Sequence, residues 1–200
     1  MKIVIIKYNA GNIQSVLYAL ERIGHMGTVT DNAAEISKAD KVIFPGVGEA
    51  SSAMKYLKER DLDTVIRNLK QPVLGICLGM QLMCKYSEEN DTECLGIFDE
   101  AVNRFNLPIG KNERNFKVPQ IGWNNIYNLK TNLFKDIKEK CYFYFVHGYY
   151  ASPGEHAIAT TDYIQPYSSA MNKDNFYGVQ FHPEKSEKAG EQVLKNFLDL

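Results

Sequence analysis

The 200-residue sequence has one tryptophan, four cysteines, seven prolines and no surplus of either charge. Each shortage excludes something. Lys+Arg at 23 against Asp+Glu at 24 gives a formal net charge of −1, so no global field draws the chain to nucleic acid or to an anionic membrane. The N-terminal apolar run, Ile3 to Ile6, is too short for a signal-peptide core, and no stretch approaches the length of a membrane span. Cys77, Cys84, Cys94 and Cys141 form no CxxC pair and no metal-ligand spacing. Neither a disulfide framework nor a metal or cofactor is therefore expected, and a reducing cytoplasm is the expected location. No GxxxxGK phosphate loop, repeat, low-complexity tract or linker is present, so residues 1–200 read as one domain, long enough to bury a substantial core.

What is present is an alternation. Ile3 to Ile6 is a continuous apolar run, as expected for a strand covered on both faces. Ile13, Val16, Leu17, Leu20 and Ile23 then share one helical face, and Gly24 supplies a stop. A run around Val29, a short polar helix, "KVIF", a helical stretch from Met54 to Leu69, "PVLGI" and a helix from Gly79 to Tyr86 follow. This order predicts an α/β fold with a mainly parallel sheet and helices on both faces. The second half reads as strands, "CYFYFV", "HAIAT", "SSAMN" and "FYGVQF", with a hairpin turn at Lys173-Asp174-Asn175, and then a helix to the C terminus. The polar, proline-punctuated stretch from Phe105 to Pro119 reads as a loop.

"GICLGMQ", residues 75–81, places Cys77 between two glycines at a strand-to-helix turn, the form of a nucleophile elbow. A cysteine in isolation is better read as a small buried hydrophobe, but the flanking glycines reverse that preference here. A thiol nucleophile needs a base, and the base needs an orienting group. His25 reads as a surface residue after a helix stop, and His156 as exposed in a polar turn beside Pro153 and Gly154. His147, ending an aromatic strand, is a fair candidate. His182 in "GVQFHPEKS" is the better one, because Pro183 fixes the backbone between it and a carboxylate at Glu184. Acyl chemistry also calls for oxyanion donors. The N–H of Leu78 is one, and the "PGVG" turn at 45–48 offers a second near Val47 and Gly48.

These motifs, with "VPQIGWN" and "YFVHGYY", stand in the order and spacing of the class I glutamine amidotransferases. "PGVG", "GMQ" and "GWN" resemble the amidotransferase subunits of imidazole glycerol phosphate synthase within that family, and the resemblance runs from "YNAGNIQSV" to the last helix. It implies a three-layer, doubly wound, flavodoxin-like fold with an antiparallel C-terminal extension. It also implies a glutaminase half-reaction with Cys77, His182 and Glu184 as the triad, and Val47, Gly48 and Leu78 at the oxyanion. Gly46, Gln81, His147, Gly148 and Tyr149 match positions around the substrate glutamine. Asn12 and Trp123 match the mouth facing the partner, a (β/α)8-barrel cyclase that completes a heterodimer in histidine biosynthesis. The sequence departs from the family at Gly148, Gln120 and Lys7, where serine, histidine and an acidic residue are usual.

Three other readings compete. A paralogous amidotransferase would feed ammonia to surface sugars, which gene neighbours would reveal. A stand-alone cysteine hydrolase would need neither "GWN" nor Gln81 and would turn over without a partner. A regulatory module with a relic site would be free to lose Cys77, His182 or Glu184, and all three are intact.

Overall fold

The computed structural model describes residues 1–8, 12–107 and 116–200. The first half is built as the alternation predicts. Strand β1 (Ile3–Ile6) leads through α1 (Ile13–Arg22) to β2 (Gly27–Thr30), and α2 (Ala33–Ser37) leads to β3 (Lys41–Gly46). Two helices, α3 (Ala50–Lys58) and α4 (Leu62–Arg67), precede β4 (Val73–Cys77), which runs directly into α5 (Leu78–Met83). All four strands are parallel, side by side in the order β2-β1-β3-β4.

The runs in β1, β3 and β4 are buried along their whole length because both sheet faces are covered. Val4, Ile6 and Phe44 pack under α2 to α5, with Ile36, Met54, Leu57, Ile66 and Met83. Ile3, Ile5 and Ile76 face α1 and the C-terminal helix α6 (Glu187–Asp199), with Val16, Leu20, Val193 and Phe197. That makes three layers.

The second half differs from the sequence reading mainly by addition. Short strands β5 (Tyr86–Ser87), β6 (Thr92–Glu93) and β7 (Ala101–Arg104) extend the sheet, and β8 (Gln120–Ile126) pairs antiparallel with β9 (Cys141–His147) as a separate two-stranded sheet. β10 (Tyr149–Ala151), β11 (Ala157–Asp162), β12 (Pro166–Lys173) and β13 (Phe176–Val179) complete the set, and β13 lies parallel against β4. The expected hairpin turn joins β12 to β13, with Asp174 at φ 51°.

Three expectations are corrected. The helix after Cys77 ends at Met83 rather than Tyr86. The Leu95 N–H takes the carbonyl of Leu82, and the N–H groups of Ile97 and Phe98 take that of Met83, so the returning loop satisfies the helix end. His156 is not exposed: its Nδ1 sits 2.9 Å from a carboxylate oxygen of the buried Glu100. His25 is half-buried. Residues 108–115 of the loop from Phe105 to Pro119, and 9–11 of "YNAGNIQSV", lie outside the described residues.

Candidate active site

The two elbow glycines are there because nothing larger fits. A Cβ on Gly79 would lie 1.7 Å from the Phe44 carbonyl oxygen, and one on Gly75 would lie 2.4 Å from the terminal methyl of Met83. Their absence of side chains lets α5 sit directly on β3 and β4. Between them Cys77 is forced to φ 52°, ψ −108°, a conformation costing about 1–3 kcal/mol. Full burial of a Val, Leu or Ile contributes about 1.5–3 kcal/mol each, so Val73, Leu74 and Ile76 of the same strand outweigh the strain.

His182 is held by backbone rather than by packing alone. Its N–H donates to the Tyr144 carbonyl of β9 at 2.9 Å, and its carbonyl accepts from the Ser186 hydroxyl at 2.6 Å. The same hydroxyl accepts from Tyr144 N–H at 3.0 Å, which closes a clamp between β9 and the 3-10 turn at Pro183–Lys185. Nδ1 lies 2.8 Å from Glu184 Oε1, which leaves Nε2 as the ring nitrogen available to the Cys77 sulfur. Burial pushes the imidazole's pKa down. The interaction with the Cys77 sulfur and then with the Glu184 carboxylate more than reverses that, raising it to about 10.

His147, the other candidate base, is also brought close, but in a different setting. Its Nδ1 faces the Tyr149 carbonyl at 2.7 Å and its Nε2 faces the Tyr167 hydroxyl at 3.3 Å, so both ring nitrogens are engaged. Burial drives its pKa down to about 4, only partly offset by the Tyr149 carbonyl.

A cavity of about 180 Å³ opens at the sulfur, lined by Val47, Gly48, Cys77, Leu78, Gln81, Glu89, Val146, His147, Gly148 and Tyr149. Eight of the residues singled out in the sequence thus meet there. Gly46 stands behind the wall: a Cβ on it would lie 2.0 Å from the Tyr8 hydroxyl and 2.9 Å from Leu78 Cβ. Asn12, expected at the partner-facing mouth, turns its amide to Glu184 Oε1. Trp123 stands 48% exposed on β8 beside Ile121 at 64%, and Tyr142 on β9 is 57% exposed. Of the departures, Gly148 has room for a side chain, with nothing nearer than 3.8 Å to a Cβ. Gln120 accepts from Tyr167 at 3.1 Å in the buried aromatic cluster, and Lys7 is exposed.

Sequence reasoning missed two residues of this site. Glu89 lines the cavity with a carboxylate whose pKa is raised by burial, against the Ala50 N–H hydrogen bond and with help from Glu49. Nothing around "SEEND" signals that. Gln180 donates to the Cys77 sulfur at 3.6 Å, and its place two residues before His182 was the available clue. Among the described residues one group could hold a metal ion, Asp99, Glu155 and His156, but none of them lines this cavity.

The chain is similar to known proteins over its whole length. Residues 4–200 match the family model described as glutamine amidotransferase class-I. The chain belongs to the class I glutamine amidotransferases. It is 56% identical over 200 residues to the imidazole glycerol phosphate synthase subunit HisH of Bacteroides fragilis, covering all of both chains. It is 44% identical to that of Vibrio parahaemolyticus, covering 100% of this chain and 98% of the other. It is therefore an amidotransferase subunit of the HisH type. Two solved structures share the fold at 16% identity. One, from Thermoplasma acidophilum, is described as a GMP synthase component (TM-score 0.74, covering 100% of this chain and 93% of that one). The other is PurLQS from Thermotoga maritima (TM-score 0.70, 99% and 97%).

Proposed function

We propose that Cys77 attacks the side-chain amide carbon of glutamine, forming a glutamyl thioester and releasing ammonia. Water then cleaves the thioester to glutamate and restores the thiol. The observation that carries this is one juxtaposition: a sulfur on a strained elbow at a cavity, whose charge bears on an imidazole that rests by its Nδ1 on a buried carboxylate. His182 hands its proton to the departing ammonia and takes one from the attacking water, while Glu184 holds the ring in place. The N–H groups of Leu78 and of the Val47–Gly48 turn receive the developing oxyanion. Gln81, His147, Gly148 and Tyr149 position glutamine, and Glu89 offers a carboxylate for its ammonium group.

The partner reading rests on relatives named as subunits of imidazole glycerol phosphate synthase. In it, ammonia passes to a (β/α)8-barrel cyclase in a cytoplasmic heterodimer of histidine biosynthesis. The exposed face of Ile121, Trp123 and Tyr142 is the docking surface. Val146 of β9 also lines the cavity, so the strand pair links that face to the site.

A glutamine-mimicking chloroketone tests the core of this reading. It should label Cys77 alone, and Cys77→Ala should abolish both labelling and glutaminase, while Cys84→Ala keeps both. Cys84 is fully buried, and burial raises its thiol pKa well above the usual value. Labelling that survives in Cys77→Ala would refute the assignment.

A further inference from the structure

Gln180 is fully buried at the end of β13, with its N–H on the Ser169 carbonyl at 2.9 Å. Its side-chain amide reaches the sulfur, and its direction is fixed from the far end. The Tyr149 carbonyl only accepts, so the end of Gln81 facing it at 3.0 Å must be the NH2 group. The other N–H of that group points 2.9 Å to Gln180, which must therefore present its oxygen there. The NH2 of Gln180 is left facing Cys77 Sγ at 3.6 Å. One backbone carbonyl thus sets the polarity of a chain of two amides that ends on the nucleophile.

We propose that Gln180 is a hydrogen-bond donor that aims the Cys77 sulfur and favours its thiolate, with Gln81 as the residue that orients it. An N–H facing sulfur stabilises the charged form over the neutral thiol. Three other titratable groups bear on the same sulfur, His182, Tyr8 and Tyr167, and Glu89 lines the cavity beside it. Gln180 is the neutral donor among them, so its removal changes the sulfur without changing local charge. Gln81 and Tyr149 also line the cavity, so the substrate pocket and the sulfur share this network.

The inference rests on Cys77 being the nucleophile, and the experiment separates the two. Iodoacetamide alkylation of the free chain is followed against pH in wild type, Gln180→Leu, Gln180→Glu and Cys77→Ala, with kcat and KM for glutamine measured in the presence of the cyclase. A hydrogen bond to a charged group supports an effect of about tenfold or more. Gln180→Leu should slow alkylation at pH 7 and lower kcat by about that factor, move the alkylation midpoint up by about one pH unit, and leave KM within about threefold. Gln180→Glu, which turns a carboxylate toward the sulfur, should be slower still. A merely structural role would lower thermal stability without moving the alkylation midpoint of the folded protein, and that result overturns the inference. Labelling that persists in Cys77→Ala would sink the nucleophile assignment and this inference with it. Labelling confined to Cys77, with the Gln180 variants indistinguishable from wild type, would sink this inference alone. If neither variant folds, the wild-type side-chain amide resonance of Gln180 decides: it must shift when Cys77 is alkylated, and an unmoved resonance refutes the contact.

Discussion

Two buried imidazoles border this site and are driven in opposite directions. His147, between a carbonyl and a phenol, has nothing negative against it, and burial takes its pKa down to about 4. His182 is buried too, yet the Cys77 sulfur and the Glu184 carboxylate lift it to about 10. Burial alone makes a histidine neutral; a carboxylate on one ring nitrogen and the charge of a nearby sulfur favour its protonated form. The site therefore sets one imidazole on the cavity wall, suited to shape, and another against Glu184 outside that wall, suited to chemistry.

The largest effect that could break this contrast comes from exchanging the roles by mutation. If His182 is the proposed proton carrier, His182→Ala should cost about 10³ or more in kcat. Glu184→Gln should cost about ten- to hundredfold, because the ring loses a charged hydrogen-bond partner but keeps its place. His147→Gln should stay within about tenfold in kcat and act mainly on KM, since a neutral, doubly bonded ring contributes shape. Glutaminase assays with the proposed cyclase partner present check all three, and a dead His147 variant beside an active His182→Ala would reverse the assignment.

The next effect concerns what the proposed triad would still lack. Gly48 has φ +119°, a conformation closed to side-chain-bearing residues, so the "PGVG" peptide can rotate at little cost. If partner binding turns an N–H there toward the oxyanion, the cyclase and its nucleotide should stimulate glutaminase by about 10²–10³, the worth of one such donor. Gly48→Val should blunt that stimulation more than it weakens glutamine binding. A chain equally fast alone would mean there is no gate.

The first half of the fold was legible because its signals are local. Ile3 to Ile6, "KVIF" and "PVLGI" are buried runs, and the elbow glycines announce close contact within a few residues of Cys77. The second half was less legible because its strands depend on distant partners. β8, "QIGWNNI", has no alternation of its own and exists as a strand through β9, and β5 and β6 are two residues each. His156 read as exposed from its neighbours, Pro153 and Gly154, whereas its position is set by Glu100, 56 residues away. In the site, "GICLG" and "HPE" pointed to the triad by type and order. That Asn12 would reach Glu184 across 172 residues, or that Glu89 would border the cavity, is written in topology rather than in any motif.

The smallest expected effect is in stability against pH. His182 has a folded pKa raised from the ordinary 6.5 to about 10, so its contribution is complete below pH 6.5 and is lost as pH rises toward 10. His147 is lowered to about 4, so its contribution is complete above pH 6.5 and is lost as pH falls toward 4. Thermal midpoints of wild type, His182→Gln and His147→Gln across pH 4 to 10 should show the first variant flattening the alkaline limb and the second the acid limb. Both variants altering the same limb would break the contrast.

The most direct test of the central claim, that Cys77 and His182 form the working pair, is the ring ¹⁵N NMR titration of both histidines in wild type and in Cys77→Ala. His182 should stay protonated through pH 8 in wild type and titrate at distinctly lower pH once the sulfur is gone, while His147 stays neutral near pH 7 in both. A His182 titration unmoved by loss of the sulfur, or a His147 that responds in its place, would contradict it.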